Sequence, residues 1–364
     1  MMMDLYFARR FLNTFARLFI IFAFIYALID MVEQIRKFDS GLAFLDILQL
    51  TALNVPIGLY RILPLIVILA TLALFLSLAR SNELVVARAA GRSGLRFLVS
   101  PVLVAFLLGV LAVSVLNPIV AATSKQYEVV SKRHKKGNGS VLTISGDGLW
   151  LRQGNENGQT VIRAERANLD GTQLFAVTFL GFGTDGLPTY RIEADSAALT
   201  PGAWNVTGIK RWNLKDDENP ERGAQKIASE KIPSNLTREQ IRDSFGSPSS
   251  IPIWDLPAFI ARLENAGFSA RQHRVWFQME LALPVLMAAM VMVGAGFTMR
   301  HTRLGKTGLM SLMAVLLGFT VFFIRNFAQI LGENGQIPIL LAAWAPPAAA
   351  ILLTLGLLLH LEDG

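Results

Sequence analysis

Cysteine is absent from all 364 residues. Its absence excludes disulfide bonds, thiolate metal sites and cysteine nucleophiles. Charge is also scarce, at 17% of residues against 52% hydrophobic. An ordinary soluble domain carries about 25% charged residues, so that class is excluded. Histidine occurs only as His134, His273, His301 and His360, too scattered for metal-ligand spacing. A phosphate-cradling loop is missing as well. Gly305-Lys306-Thr307 carries its last letters, but Arg300 stands at the earlier glycine position, and no strand precedes it. The segment reads as a charged turn, and the chain offers no ATP site of its own.

What is present is long apolar runs. Six stretches meet the roughly 20 residues needed to cross a bilayer: 11–29, 55–79, 97–124, 281–299, 307–324 and 337–359. The first ends in Asp30 and Glu33, with no small-residue cleavage pattern after it, so a retained span is expected. Asp30 and Glu33 themselves read as solvated flanks. Arg61 and Arg325 sit inside apolar runs, where such residues face a bundle interior or cavity, or snorkel. The basic residues of short connections set orientation. Arg9, Arg10 and Arg17 flank the first span; Arg80, Arg88, Arg92 and Arg96 crowd the second connection; Arg300, Arg303 and Lys306 fill the fourth-to-fifth connection. The stretch 331–336 has no Lys or Arg. Both termini are therefore expected in the cytoplasm and the long polar region on the far side.

That polar region, 125–250, has turn signals at short intervals, such as Gly146-Asp-Gly148, Asp170-Gly171 and Pro201-Gly202. Between them apolar residues alternate, as in Tyr190, Ile192 and Ala194. Many short strands argue for a sandwich or jelly roll. Helical spacing returns at 256–267, expected as an amphipathic helix near the outer membrane boundary within a connector, 251–274. The domain plan is thus spans one to three in 1–124, the β domain in 125–250, the connector, and spans four to six in 275–364. The fold class is an α-helical membrane protein with an inserted β-jelly-roll domain.

Between spans two and three, Ser81–Gly91 reads as a short cytoplasmic helix within 81–92. Ala and Leu favour helix, Gly91 is a stop signal, and Glu83 suits the positive N-terminal end of the helix dipole. Leu84, Ala87 and Gly91 share one face, with Arg88 beside them. A soluble ATPase driving a permease needs such a helix to grip. The plainer reading is an ordinary turn.

The whole order resembles the lipopolysaccharide-export permeases, the LptF/LptG (YjgP/YjgQ) family. The resemblance covers nearly the full chain. It is sharpest at Leu63-Pro64, Asn82–Gly91, Asn117-Pro118, Gly335-Gln-Ile-Pro338 and Ala342-Ala-Trp-Ala-Pro346, and in the strand pair Tyr190–Ala194 and Trp204–Val206. The Asn-Glu-Leu-Val-Val run, the exit Asp30–Lys37 and the short tail favour the LptG branch, with LptF as the alternative. The family implies a non-catalytic permease subunit of an inner-membrane ABC exporter. Its implied partners are an LptB-like ATPase dimer, an LptF-like second permease and an LptC-like single-span jelly-roll protein. No cofactor is implied on this chain, and ATP and Mg belong to the ATPase. The implied cargo, lipopolysaccharide, needs cations for phosphates and apolar walls for acyl chains. Arg36, Lys37, Lys125, Lys132 and Arg133 are the candidate head-group cations, each open to reading as a solvated flank. Phe22, Ile25, Ile62, Ile66, Phe319, Phe322 and Phe323 are the candidate acyl walls. Two other classes compete. An ion-coupled carrier would need intramembrane carboxylates and matched broken helices, and neither is apparent within the six apolar runs. A membrane adaptor would need no gripping helix.

Overall fold

The computed structural model describes the chain except residues 1, 39–42, 82, 84–93, 135–140, 146–147, 156–157, 169–170, 184–185, 216–218, 235, 238–246, 266–267, 299–306 and 363–364. The side chains of some adjoining residues, 132–134 among them, also fall outside the description. Two compact units form: 1–131 with 249–254 and 271–364, and 132–248 with 255–270.

Among the described residues, the first unit contains six helices long and apolar enough to span a membrane. They are α1 (Met2–Lys37), α2 (Phe44–Arg80), α3 (Gly94–Leu111) running on into α4 (Asn117–His134), and then, after the short α5 (Leu256–Asn265) of the second unit, α6 (Arg271–Thr298), α7 (Thr307–Glu333) and α8 (Ile339–Glu362). Between α3 and α4, Ala112–Leu116 form a π-helical turn. Pro118 follows it and lacks the N–H of a regular helix. The wider turn lets one span pass through Asn117-Pro118 without breaking.

α6 is the axis of the bundle. Its Met287, Met290, Val291 and Val293 share one core with Ile66, Val67, Leu74 and Phe75 of α2. α1 is peripheral: 11% of its most apolar window is buried, against 78% for α6. Phe7, Phe11 and Phe15 anchor one half of α1, and the buried polar residues Asp30 and Gln34 anchor the other. α3 approaches α6 closely at Gly109, where an added Cβ would lie 2.5 Å from Pro284 Cα. Backbone cannot yield there as a side-chain tip could. Gly109→Leu should therefore destabilise the bundle by at least the ~1–3 kcal/mol typical of overpacking. A clear fall in detergent melting temperature and yield is the expected measurement, and a wild-type melt would count against this packing.

Among its described residues the second unit holds seven strands: β1 (Val141–Ser145), β2 (Gly148–Asn155), β3 (Gly158–Ala167), β4 (Gln173–Phe182), β5 (Pro188–Thr200), β6 (Ala203–Asn213) and β7 (Gln225–Pro233). Each pairs antiparallel with the next, in sequence order. The sheet also meets itself: Gln153 of β2 donates to Pro233 O of β7 at 3.2 Å and accepts from Ser234 Oγ at 2.7 Å. Among the described residues the inserted β domain is thus one rolled meander whose strands follow sequence order. Its core contains Leu149, Leu151, Ile162, Phe179, Ile192, Trp204 and Val206.

A corner crosses this sheet. On β3 the buried positions run Ile162, Ala164, then Ala167; on β4, Leu174, then Val177 and Phe179; on β5, Ile192, Ala194, then Ala197; on β6, Trp204, Val206, then Ile209. Each strand skips its alternation once. The skips align through the pairs Arg166↔Phe175, Phe175↔Ser196 and Ser196↔Thr207. Ala176 at φ 51° and Gly208 at φ 69° lie on this line. The positive φ there turns the chain so that the inner face changes parity and the sheet can curl.

α5 is amphipathic as its spacing requires, but its apolar face is not bare. Leu256, Ile260 and Leu263 are buried. The expectation of an interfacial membrane helix is corrected, because those side chains already have a protein core to fill.

Candidate functional site

Of the proposed gripping segment, Ser81 and Glu83 are described, while Leu84, Ala87, Arg88 and Gly91 lie outside the described residues. Glu83 is held by its own chain. Arg10 Nη1 donates to both carboxylate oxygens at 2.8 Å, Ser81 Oγ donates at 2.7 Å and Tyr6 OH at 3.1 Å. Arg10 also reaches Ser77 Oγ at 3.0 Å. The network ties the first half of α1 to the end of α2. The Arg10 hydrogen bond chiefly holds the Glu83 carboxyl below its ordinary 4.5.

Among the candidate rim cations, Arg36 and Lys37 close α1 and Lys125 lies midway along α4. Arg36 and Lys125 are exposed. Lys37 Nζ donates to Tyr127 OH at 3.2 Å and lies 5.7 Å from that ring's centroid. Tyr127 OH in turn donates to Gln34 at 3.2 Å. The side chains of Lys132 and Arg133 are outside the described residues. Asp30 is not a solvated flank. It is 2% exposed and accepts from Asn54 Nδ2 at 2.6 Å. Its helical face turns toward α2, where that amide meets it. Glu33, on another face, is exposed.

The apolar candidates divide. Ile25, Phe319 and Phe323 are exposed, and Phe22, Ile62 and Phe322 are half-buried at the edge of the core. Ile66 is fully buried among helices. Its assignment to an acyl wall is corrected, because its face of α2 meets protein and not an open surface.

The sequence reading missed a buried polar cluster. Glu280, 1% exposed, accepts a short hydrogen bond from Tyr60 OH and another from Asn117 Nδ2 at 3.2 Å. Asn117 is fixed by Ile253 N, which donates to its Oδ1 at 2.9 Å. Tyr60, Arg61, Trp276, Glu280, Phe322, Arg325, Asn326 and Gln329 line a cavity of about 240 Å³ between α2, α6 and α7. Glu280 escapes a sequence reading because it lies just before the apolar run that starts at Leu281. In fact α6 begins at Arg271, nine residues before Glu280, so Glu280 is well inside the helix. The usable signal was a carboxylate at the same end of its span as Arg61 and Arg325 are of theirs.

Over residues 5–360 the chain matches the family described as lipopolysaccharide export system permease LptF/LptG. It is 24% identical over 341 residues to the lipopolysaccharide export system permease protein LptG of Escherichia coli K12, covering 92% of this chain and 91% of that protein. The LptG of Escherichia coli O6:H1 matches with the same identity and coverage. Six membrane-length helices, an antiparallel β domain inserted between the third and fourth, and a match along nearly all of its length together show that the chain belongs to the LptF/LptG family of lipopolysaccharide export permeases.

Proposed function

We propose that the chain is the LptG-like permease subunit of an ABC exporter that extracts lipopolysaccharide from the outer leaflet of the inner membrane. The reading is carried by the family match, which extends through both helical halves and the β domain, together with the LptG relatives. Energy comes from ATP hydrolysis on a separate LptB-like dimer, with ATP and Mg bound there. An LptF-like permease completes the translocation path, and an LptC-like protein receives the lipid. Basic residues in the short connections support cytoplasmic termini and a periplasmic β domain. Exposed Ile25, Phe319 and Phe323 suit acyl chains, and Arg36, Lys37 and Lys125 suit phosphates.

The test is purification through a tag on this chain. An ATPase and a second permease are expected to copurify, and added lipopolysaccharide should stimulate hydrolysis. The chain alone should hydrolyse nothing. Export sustained by a proton gradient, with no ATPase recovered, would reject the reading.

A further inference from the structure

The cavity between α2, α6 and α7 has more donors than acceptors. Glu280 already accepts from Tyr60 and Asn117. The Glu280 charge acts on Arg325, yet the ion pairs among the described residues do not include these two. Arg61 lines the same cavity and is exposed, which puts it toward the mouth. Trp276, on the wall, has its indole N–H buried without a partner. Arg325 and an orphan N–H share the cavity with one carboxylate whose lone pairs are partly taken, Arg61 stands at its exposed edge, and the amides of Asn326 and Gln329 both donate and accept. Buried donors without acceptors are costly, and a guanidinium fork matches phosphate or carboxylate oxygens.

We infer that this cavity is a binding site for one small anionic group, a phosphate or carboxylate, held by Arg325 and Arg61. Glu280 is its built-in competitor. It orients Arg325 when the site is empty and keeps net charge low enough for release. The site is separate from the rim of Arg36, Lys37 and Lys125. If the group is carried by a lipid, the inference rests on the proposed lipopolysaccharide substrate; a free anion needs no such reading.

The experiment uses the assembled complex in nanodiscs, with binding measured for lipopolysaccharide, for its dephosphorylated form and for inorganic phosphate. R325Q and R61Q should each weaken binding of the anionic probe about tenfold, the loss of one charge-assisted contact. E280Q should tighten it, whereas a purely structural role predicts no tightening. R61Q lies at the exposed mouth and keeps the test valid if R325Q folds poorly. Loss confined to phosphorylated lipopolysaccharide supports a lipid-borne group. Protection of the melt by inorganic phosphate in wild type but not in R61Q supports a free anion. Wild type that binds lipopolysaccharide, with both arginine variants unchanged toward it and toward phosphate, overturns the site but leaves the substrate reading intact. Wild type that fails to bind lipopolysaccharide overturns the substrate reading, and the phosphate arm then decides the site.

Discussion

Replacing Glu83 with alanine is expected to leave the melting temperature within a few degrees of wild type and to cut lipopolysaccharide export about tenfold or more. The two effects separate for a physical reason. The Arg10–Glu83 pair has side chains 27% and 35% exposed, so water screens it, and pairs of this kind contribute about 1 kcal/mol or less. Stability should therefore move little. The carboxyl is held below its ordinary 4.5, first by the Arg10 hydrogen bond. Its small contribution is present above that value and is lost as pH falls through the lowered one, so neutral and mildly acidic melts should match. Export is different if the 81–92 segment transmits force from an ATPase. A partner closing over Glu83 would strip away that water, and losing one member of a shielded pair costs more. The charge swap Arg10→Glu with Glu83→Arg tells the roles apart. It should recover the melt, because the internal pair is rebuilt, but not export, because the partner still meets a reversed charge. Recovery of both would confine Glu83 to an internal brace.

The spans were legible because membrane length and apolarity are properties of composition, and a helix such as α6 cannot hide 28 residues. Facing was less legible. Ile66 and Phe323 are both apolar residues in apolar helices, yet one is buried in the bundle and the other is 70% exposed. Only the identity of the neighbouring helix decides that. Asp30 and Glu280 show the same limit for charge. Each abuts the end of an apolar run, where solvation is the default, and each is buried because an amide, Asn54 or Asn117, waits on another helix. The β domain's strands followed from alternation and turns. Its corner did not, because a skipped alternation on one strand looks like noise until Arg166, Phe175, Ser196 and Thr207 are seen in register. Glu83 was singled out by position, but its internal partner Arg10 lies 73 residues away in sequence, beyond any local pattern.

The triple change of Arg36, Lys37 and Lys125 to glutamate should abolish most lipopolysaccharide stimulation of the ATPase, with single changes to alanine having small effects. Arg36 and Lys125 are exposed, and Lys37 is exposed although it contacts Tyr127. Flexible cations at one rim can substitute for one another on a phosphate, so losing one leaves the local potential largely intact. Reversing three charges inverts that potential, and an anionic head group then meets repulsion at the height where it must be captured. Lys37 should be the most sensitive single position, since its amine also braces α1 against α4 through Tyr127. Lys37→Arg keeps the charge and the reach over the ring, and should restore what Lys37→Ala loses. The fold should survive the triple change, because none of the three side chains belongs to the buried core. Salt provides an independent check, since stimulation of the wild type should weaken as ionic strength shortens the screening length to below about 8 Å. Stimulation of an intact, fully assembled triple variant at the wild-type level would make these three side chains solvated flanks, and head-group capture would have to lie elsewhere.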